Sequence, residues 1–241
     1  MQVNNTRCYG DKIDIDKTQV KDFWSERAKN AKDLNTVLLG NQKTSEEGDL
    51  RNKEEFELVE NFLGRLENIS ILDIGCGMGR WANNLKDRNC NYTGVDFSED
   101  FTNFNKKTYK NMKFYTMDAE NLDLSLLDKT YNLIIINGVL MYINDDSLYK
   151  VFEIIKTLNP DNIYLQESTS VINERLTLNK FYSQELQKDY STIYRVPEDY
   201  EKYIKNYLPE YRTLDKGLLL HEHSGARKET NAQYWILKRG K

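Results

Sequence analysis

At 241 residues, with 34 Lys and Arg against 38 Asp and Glu, the chain carries a formal net charge of −4. That length buries a good core as one domain, or one domain with a cap, and the acidic balance argues against nucleic acid as an obligatory partner, since phosphate binding relies on clustered Lys and Arg. Three cysteines, Cys8, Cys76 and Cys90, form no C-x-x-C pair and have no histidine at ligand spacing, so neither a disulfide framework nor a metal site is expected.

Residues 1–17 show no periodicity and read as a mobile tail without the apolar stretch of a signal peptide. From Thr18, Val20, Phe23, Trp24, Ala28 and Ala31 recur at helical spacing. Residues 1–50 thus read as a tail and a cap helix, with a polar loop over Asn35 to Asp49. A second helix is expected from about Asn52 to Leu66, with Phe56, Val59, Phe62 and Leu63 on one face.

Next comes a short apolar run, Ile69 to Ile74, too brief and too β-branched for a helix. It ends in Gly75, Gly77 and Gly79 at alternate positions, and a helical pattern starts at Arg80. Glycine there permits positive φ and lets the backbone approach a ligand closely. The spacing is G-x-G-x-G, whereas a dinucleotide turn is G-x-G-x-x-G. Cys76 reads as a small turn residue, the alternative being a nucleophile. Asp73, two residues before the first glycine, would repel a pyrophosphate but accept from an ammonium or an ordered water.

Strand and helix then alternate. Tyr92–Asp96, Met112–Met117, Asn132–Asn137 and Asn162–Gln166 read as strands, with helices from about Glu99 and over Asp145–Thr157 and a short turn at Leu122–Leu127. Such βαβ alternation gives a parallel sheet whose ligand lies outside the carboxyl ends of the strands. Asp73, Asp96, Asp118 and Asn137 all fall at such ends. Asp96 lies about the 20 residues on that a ribose-binding carboxylate requires, although Asp96 also suits a helix cap, and Asp118 and Asn137 a turn. The longest apolar run, Leu133 to Ile143, is broken by Asn137 and Gly138 and is shorter than the ~20 residues of a membrane span. A cytoplasmic protein with no membrane insertion is expected. Residues 168–215 read as a mostly helical, tyrosine-rich insertion, and Lys216–His223 with Gln233–Lys238 as a closing hairpin within 216–241.

A cationic, phosphate-free adenosine compound such as S-adenosylmethionine (SAM) suits these acids. In this order the residues resemble the class I SAM-dependent methyltransferases over nearly the whole chain. The resemblance implies a Rossmann-like, doubly wound α/β fold: a seven-stranded, mostly parallel sheet with an antiparallel C-terminal hairpin and a helical cap, the SAM-binding core at 51–167. It assigns Asp73, Gly75, Gly77 and Gly79 to the first motif and Asp96 to the ribose hydroxyls. Phe97 falls against adenine, Asp118 and Ala119 at its edge, and Asn137 at the methionine end. There is no Asn/Asp-Pro-Pro-aromatic motif after strand four, which leaves the small-molecule branch. The stretch from Arg175 to Arg195 is similar to methyltransferases of bacterial capsule and surface-polysaccharide biosynthesis.

The expected reaction is methyl transfer to a small polar acceptor, oxygen rather than nitrogen, such as a nucleotide-linked or phosphorylated glycan precursor. His221, which shares a strand face with His223, and Glu167 are the candidate bases, with solvent-exposed or locally paired roles as alternatives. Arg175, Tyr182, Tyr194, Arg195 and Arg227 are candidates for the acceptor pocket, since arginine forks suit phosphate and tyrosine offers a stacking face. The tyrosines alternatively belong to a core face and the arginines to local ion pairs. Trp24 and Arg27 are placed over the cofactor, Arg27 towards its carboxylate. A SAM-binding protein without turnover and an NAD-dependent dehydrogenase are the competing classes.

Overall fold

The computed structural model describes residues 6–31, 33–38, 45–184, 186–220 and 227–240. In chain order these form β1 (Thr6–Tyr9), α1 (Lys17–Lys29), a 3-10 turn (Leu34–Val37), α2 (Ser45–Leu63), β2 (Ser70–Ile74), α3 (Arg80–Leu85), β3 (Asn91–Asp96), α4 (Glu99–Thr108) and β4 (Lys113–Thr116). There follow β5 (Leu133–Asn137), α5 (Asp145–Leu158), β6 (Asn162–Ser170), β7 (Leu176–Ser183), β8 (Lys188–Tyr194), α6 (Pro197–Tyr207), β9 (Tyr211–Leu218) and β10 (Thr230–Arg239).

Seven strands make the central sheet in the order β4-β3-β2-β5-β6-β10-β9. The first five are mutually parallel, whereas β10 runs antiparallel to both β6 and β9. Because side chains alternate across a strand, each central strand feeds two cores. Leu72, Ile74, Ile134 and Ile136 pack under α5 and α6, while Ile71, Leu133, Ile135 and Tyr164 pack against Phe56 and Val59 of α2 and Trp81 of α3. Both faces are covered, which is why these strands read as continuous apolar runs. Asp73, Asn137 and Gln166 continue the α2/α3 face at the strands' carboxyl ends.

The doubly wound, seven-stranded fold expected from the sequence is therefore present, and the differences lie at its edges. Of the insertion expected to be mostly helical, α6 is helix, whereas β7 and β8 form an antiparallel sheet with β1, a segment read as mobile tail. A bulge explains the misreading: register shifts between Leu178 and Phe181, where Lys180 has φ +52°, so the two-residue alternation breaks in mid-strand. α2 begins at Ser45 rather than Asn52, inside the segment expected as loop, and β6 runs on to Ser170. β9 starts at Tyr211, and His221 and His223 lie outside the described residues. α1 packs with the small sheet in a third core of Val20, Phe23, Trp24, Leu176, Tyr190, Ile193 and Tyr194. Among the described residues no helix is long and apolar enough to cross a membrane.

Candidate active site

A cavity of about 200 Å³ lies where the two ends of the strand order diverge from β2 and β5. Its wall at the β2-β3-β4 side begins with the glycine turn. The amides of Gly75 and Cys76 both donate to Val95 O, at 2.7 and 3.0 Å, folding the turn back over β3. Gly75 has φ +79° and a Cβ there would overlap Val139 Cγ2; one at Gly77, φ +49°, would come within 2.9 Å of Val37 Cγ1. Only bare backbone fits between the post-β5 loop and the 3-10 turn.

Three acids at successive strand ends line that side. Asp73 is buried and takes a 2.5 Å hydrogen bond from the Tyr92 hydroxyl. Asp96 accepts from Gly77 N and Ser98 N, each at 2.9 Å. Asp118 meets Lys21 of α1 at 3.0 Å, and Lys17 meets Glu120 at 2.6 Å, so the cap helix is tied down beside Phe97 and Ala119.

The far side comes from β5 and the loop after it, β6, β8, β10 with the residues just before it, and the cap: Asn137, Gln166, Ser168, Asn231, Arg227 and the aromatic rings of Trp24, Tyr142, Tyr190 and Tyr194. The Tyr142 and Tyr190 hydroxyls lie 2.7 Å apart, and Trp24 meets Tyr142 edge-on at 5.6 Å.

Eleven candidates from the sequence thus share one cavity: Trp24, Asp73, Gly75, Gly77, Asp96, Phe97, Asp118, Ala119, Asn137, Tyr194 and Arg227. Others are placed elsewhere, each for an identifiable reason. Gly79 caps α3 against Asn105 and Tyr109 rather than lining the cavity. Arg27 spends its guanidinium on Thr36 O, bracing the 3-10 turn that carries Val37. Arg175 and Arg195 are both paired with Asp145, and Tyr182 is exposed, donating to Gln187. Glu167 points to the sheet face opposite Gln166 and accepts from the amides of Val139, Leu140 and Met141 at 2.8–3.1 Å. It is a positioning residue for the post-β5 loop, not a base facing the cavity. His221 lies outside the described residues.

Sequence reasoning missed a polar cluster behind Asn137. Glu55 accepts from Asn137 Nδ2 at 2.5 Å and from the Tyr164 hydroxyl at 2.7 Å, and lies 3.4 Å from Arg80. The signal was available: Arg51 and Glu55 precede Val59 at four-residue spacing, on the buried stripe of an amphipathic helix.

Burial pushes three acids upward against their hydrogen bonds: Asp73 to about 7, Asp96 to about 6 and Glu167 to about 7. Such carboxyls bind protons more tightly folded than unfolded, so their contribution to stability is full below about pH 4 and is lost as pH rises towards 7. Asp145 acts in the opposite sense, below about pH 4, because Arg195 and Arg175 outweigh its burial and lower it. Denaturant midpoints of the ligand-free protein should therefore fall between pH 5 and 7.5. Asp73→Asn should flatten that slope, and an unchanged slope would refute the assignment.

Three comparisons bear on this geometry. Residues 71–161 match the model of a family described as a methyltransferase domain. Phosphoethanolamine N-methyltransferase 1 of Triticum aestivum is 25% identical over 95% of this chain and 45% of its own length. The chain spans less than half the length of the phosphoethanolamine methyltransferases it matches. Among solved structures, the Burkholderia thailandensis 1,6-didemethyltoxoflavin-N1-methyltransferase, with its acceptor and S-adenosylhomocysteine bound, superposes with a TM-score of 0.66 over 100% of this chain and 98% of its own, at 11% identity. Magnesium protoporphyrin IX methyltransferase of Synechocystis PCC 6803 with bound SAM gives 0.62 over 95% and 100%, at 15% identity.

Proposed function

We propose that this chain, whose core is a class I SAM-dependent methyltransferase domain, transfers a methyl group from SAM to the nitrogen of a small phosphorylated amine. The observation that carries the first half is the placement of Asp73, Asp96 and Asp118 around the bare-backbone turn in one cavity. Asp96 would hold the ribose hydroxyls, Asp118 and Ala119 the adenine edge, and Asp73 the ammonium. When bound, SAM supplies a methyl already activated on a sulfonium. The protein's task is then alignment and exclusion of water, which can supply ~7–11 kcal/mol of barrier reduction.

Nitrogen is favoured over the oxygen expected from the sequence for two reasons. The phosphoethanolamine relatives are N-methyltransferases by name, and the acceptor side is walled by Trp24, Tyr142, Tyr190 and Tyr194, whose ring faces suit an ammonium. An amine needs only to shed its proton before attack, whereas Glu167, the described candidate for an oxygen's base, is occupied with three amides. Arg227 on the same wall is suited to a phosphate.

Labelled methyl from SAM should pass to phosphoethanolamine and not to a panel of hydroxylated capsule precursors. Transfer only to hydroxyls would restore the glycan-precursor reading. Binding of S-adenosylhomocysteine without transfer to any acceptor would favour a regulatory protein, and stabilisation by NADH alone a dehydrogenase.

A further inference from the structure

Gln166 follows the apolar run 163–165 of β6, on the sheet face that carries Asp73 and Asn137, and it lines the cavity while only 2% exposed. Among the described residues its carboxamide has no hydrogen-bond partner. The neighbours that could supply one are committed elsewhere. Asn137, its registered partner on β5, gives its NH2 to Glu55 at 2.5 Å, and Tyr234, opposite it on β10, gives its hydroxyl to Asp215 at 2.6 Å. A polar side chain so enclosed is normally satisfied by protein, ordered water or a ligand, and the cavity is what Gln166 faces.

Charge is divided along that cavity. The acids that line it among the described residues, Asp73, Asp96, Asp118 and Glu120, belong to β2, β3 and the segment after β4. The half built by β6, β8 and β10 carries a carboxamide, hydroxyls and rings, with Arg227 as its charged side chain among the described residues. Behind Asn137, Glu55 is paired with Arg80 and feels the charge of Arg51. Burial pushes the Tyr142 and Tyr190 phenols up, so neither supplies a negative charge near neutral pH.

We propose that the Gln166 carboxamide oxygen receives an N–H of the acceptor amine and aims the nitrogen lone pair at the methyl, an acceptor-binding role that rests on the N-methyltransferase reading. A carboxamide accepts a hydrogen bond but takes no proton and carries no charge. It therefore holds the neutral amine without favouring the ammonium, which has no lone pair to give. A carboxylate at that point would do the reverse. As the amine gives its lone pair to the methyl carbon, the carbon–sulfur bond breaks with its electrons left on sulfur, and the secondary ammonium formed sheds its proton to water. Position separates this partner from the rest of the acceptor. Gln166 stands one strand, about 4.8 Å, from Asn137, the residue assigned to the methionine end. Arg227, suited to a phosphate, lies beyond the Thr230–Ser170 end of the β6-β10 ladder.

Steady-state kinetics with SAM and phosphoethanolamine from neutral to alkaline pH, alongside calorimetry with S-adenosylhomocysteine, tests this. Gln166→Leu should lower kcat about tenfold, the worth of one hydrogen bond in an enclosed site, with S-adenosylhomocysteine affinity unchanged. Gln166→Glu keeps the shape and adds a charge that favours the ammonium. The rise of kcat with pH should then move upward by about one unit or more, while phosphoethanolamine KM does not rise. This variant serves if Gln166→Leu does not fold. Full turnover in Gln166→Leu, or an unmoved pH profile in Gln166→Glu, would overturn the assignment. So would a raised phosphoethanolamine KM with kcat and pH profile intact, which places Gln166 on the acceptor's phosphate. A matching loss of S-adenosylhomocysteine affinity, which places it on the cofactor, overturns it too. If the unmodified protein methylates hydroxyls alone, or nothing, the N-methyltransferase reading itself falls, and this assignment with it.

Discussion

Asp96→Ala is expected to weaken S-adenosylhomocysteine roughly 10²-fold in calorimetry, the largest loss from any single substitution in the cleft. Hydrogen bonds to a charged group contribute about 1.5–3 kcal/mol each, and a ribose diol would make two. The variant also strips Gly77 N and Ser98 N of their acceptor, so the turn that must stay closed over β3 loses a tie. Asp96→Asn, which keeps the shape and one acceptor, should lose less. Unchanged affinity in Asp96→Ala would remove the ribose assignment.

Arg195→Ala is expected to cost about 3 kcal/mol of stability, read as a shift in denaturant midpoint, and to lower turnover in the fraction that stays folded. Removing one partner of a buried ion pair typically costs 3–5 kcal/mol. The lower end applies because Asp145 is partly exposed and keeps Arg175. The turnover effect follows from what else Arg195 holds: it donates to Leu140 O at 2.9 Å and Ile143 O at 2.6 Å. Glu167 grips the amides of the same loop from below. That loop carries Val139, Met141 and Tyr142 into the cavity, so releasing its carbonyls should blur the acceptor side. Arg195→Lys supplies charge without the fork and should rescue stability more than turnover. A variant as stable and as active as the parent would show that the clamp is incidental.

The positions of the polar groups show where reading along the chain succeeds. Asp73, Asp96, Asp118 and Asn137 are legible as cleft residues because each lies at or near the end of an apolar run, and a parallel strand delivers its last residues to the carboxyl edge of the sheet. Glu167 is legible as a strand residue, but its hydrogen bonds to the post-β5 loop are not, because one residue of register decides whether a side chain faces the cleft or the α5/α6 layer. Arg175 and Arg195 sit 30 and 50 residues from Asp145. No local pattern announces such a partner, and a free-looking arginine in a sequence is easily taken for a ligand-binding one.

The alternation of strand and helix, the glycine turn and the acids at the carboxyl ends of the strands are legible in the sequence alone, since these follow from two- and 3.6-residue periods and from backbone demands within a few positions. Tertiary structure decided the rest: that β1 joins β7 and β8 over the strand ends, that Arg195 and Glu167 clamp a loop, and that Arg51 enters the cleft. Those outcomes depend on which distant surfaces meet, and on desolvation, which makes a buried charge find whatever partner the fold brings within reach.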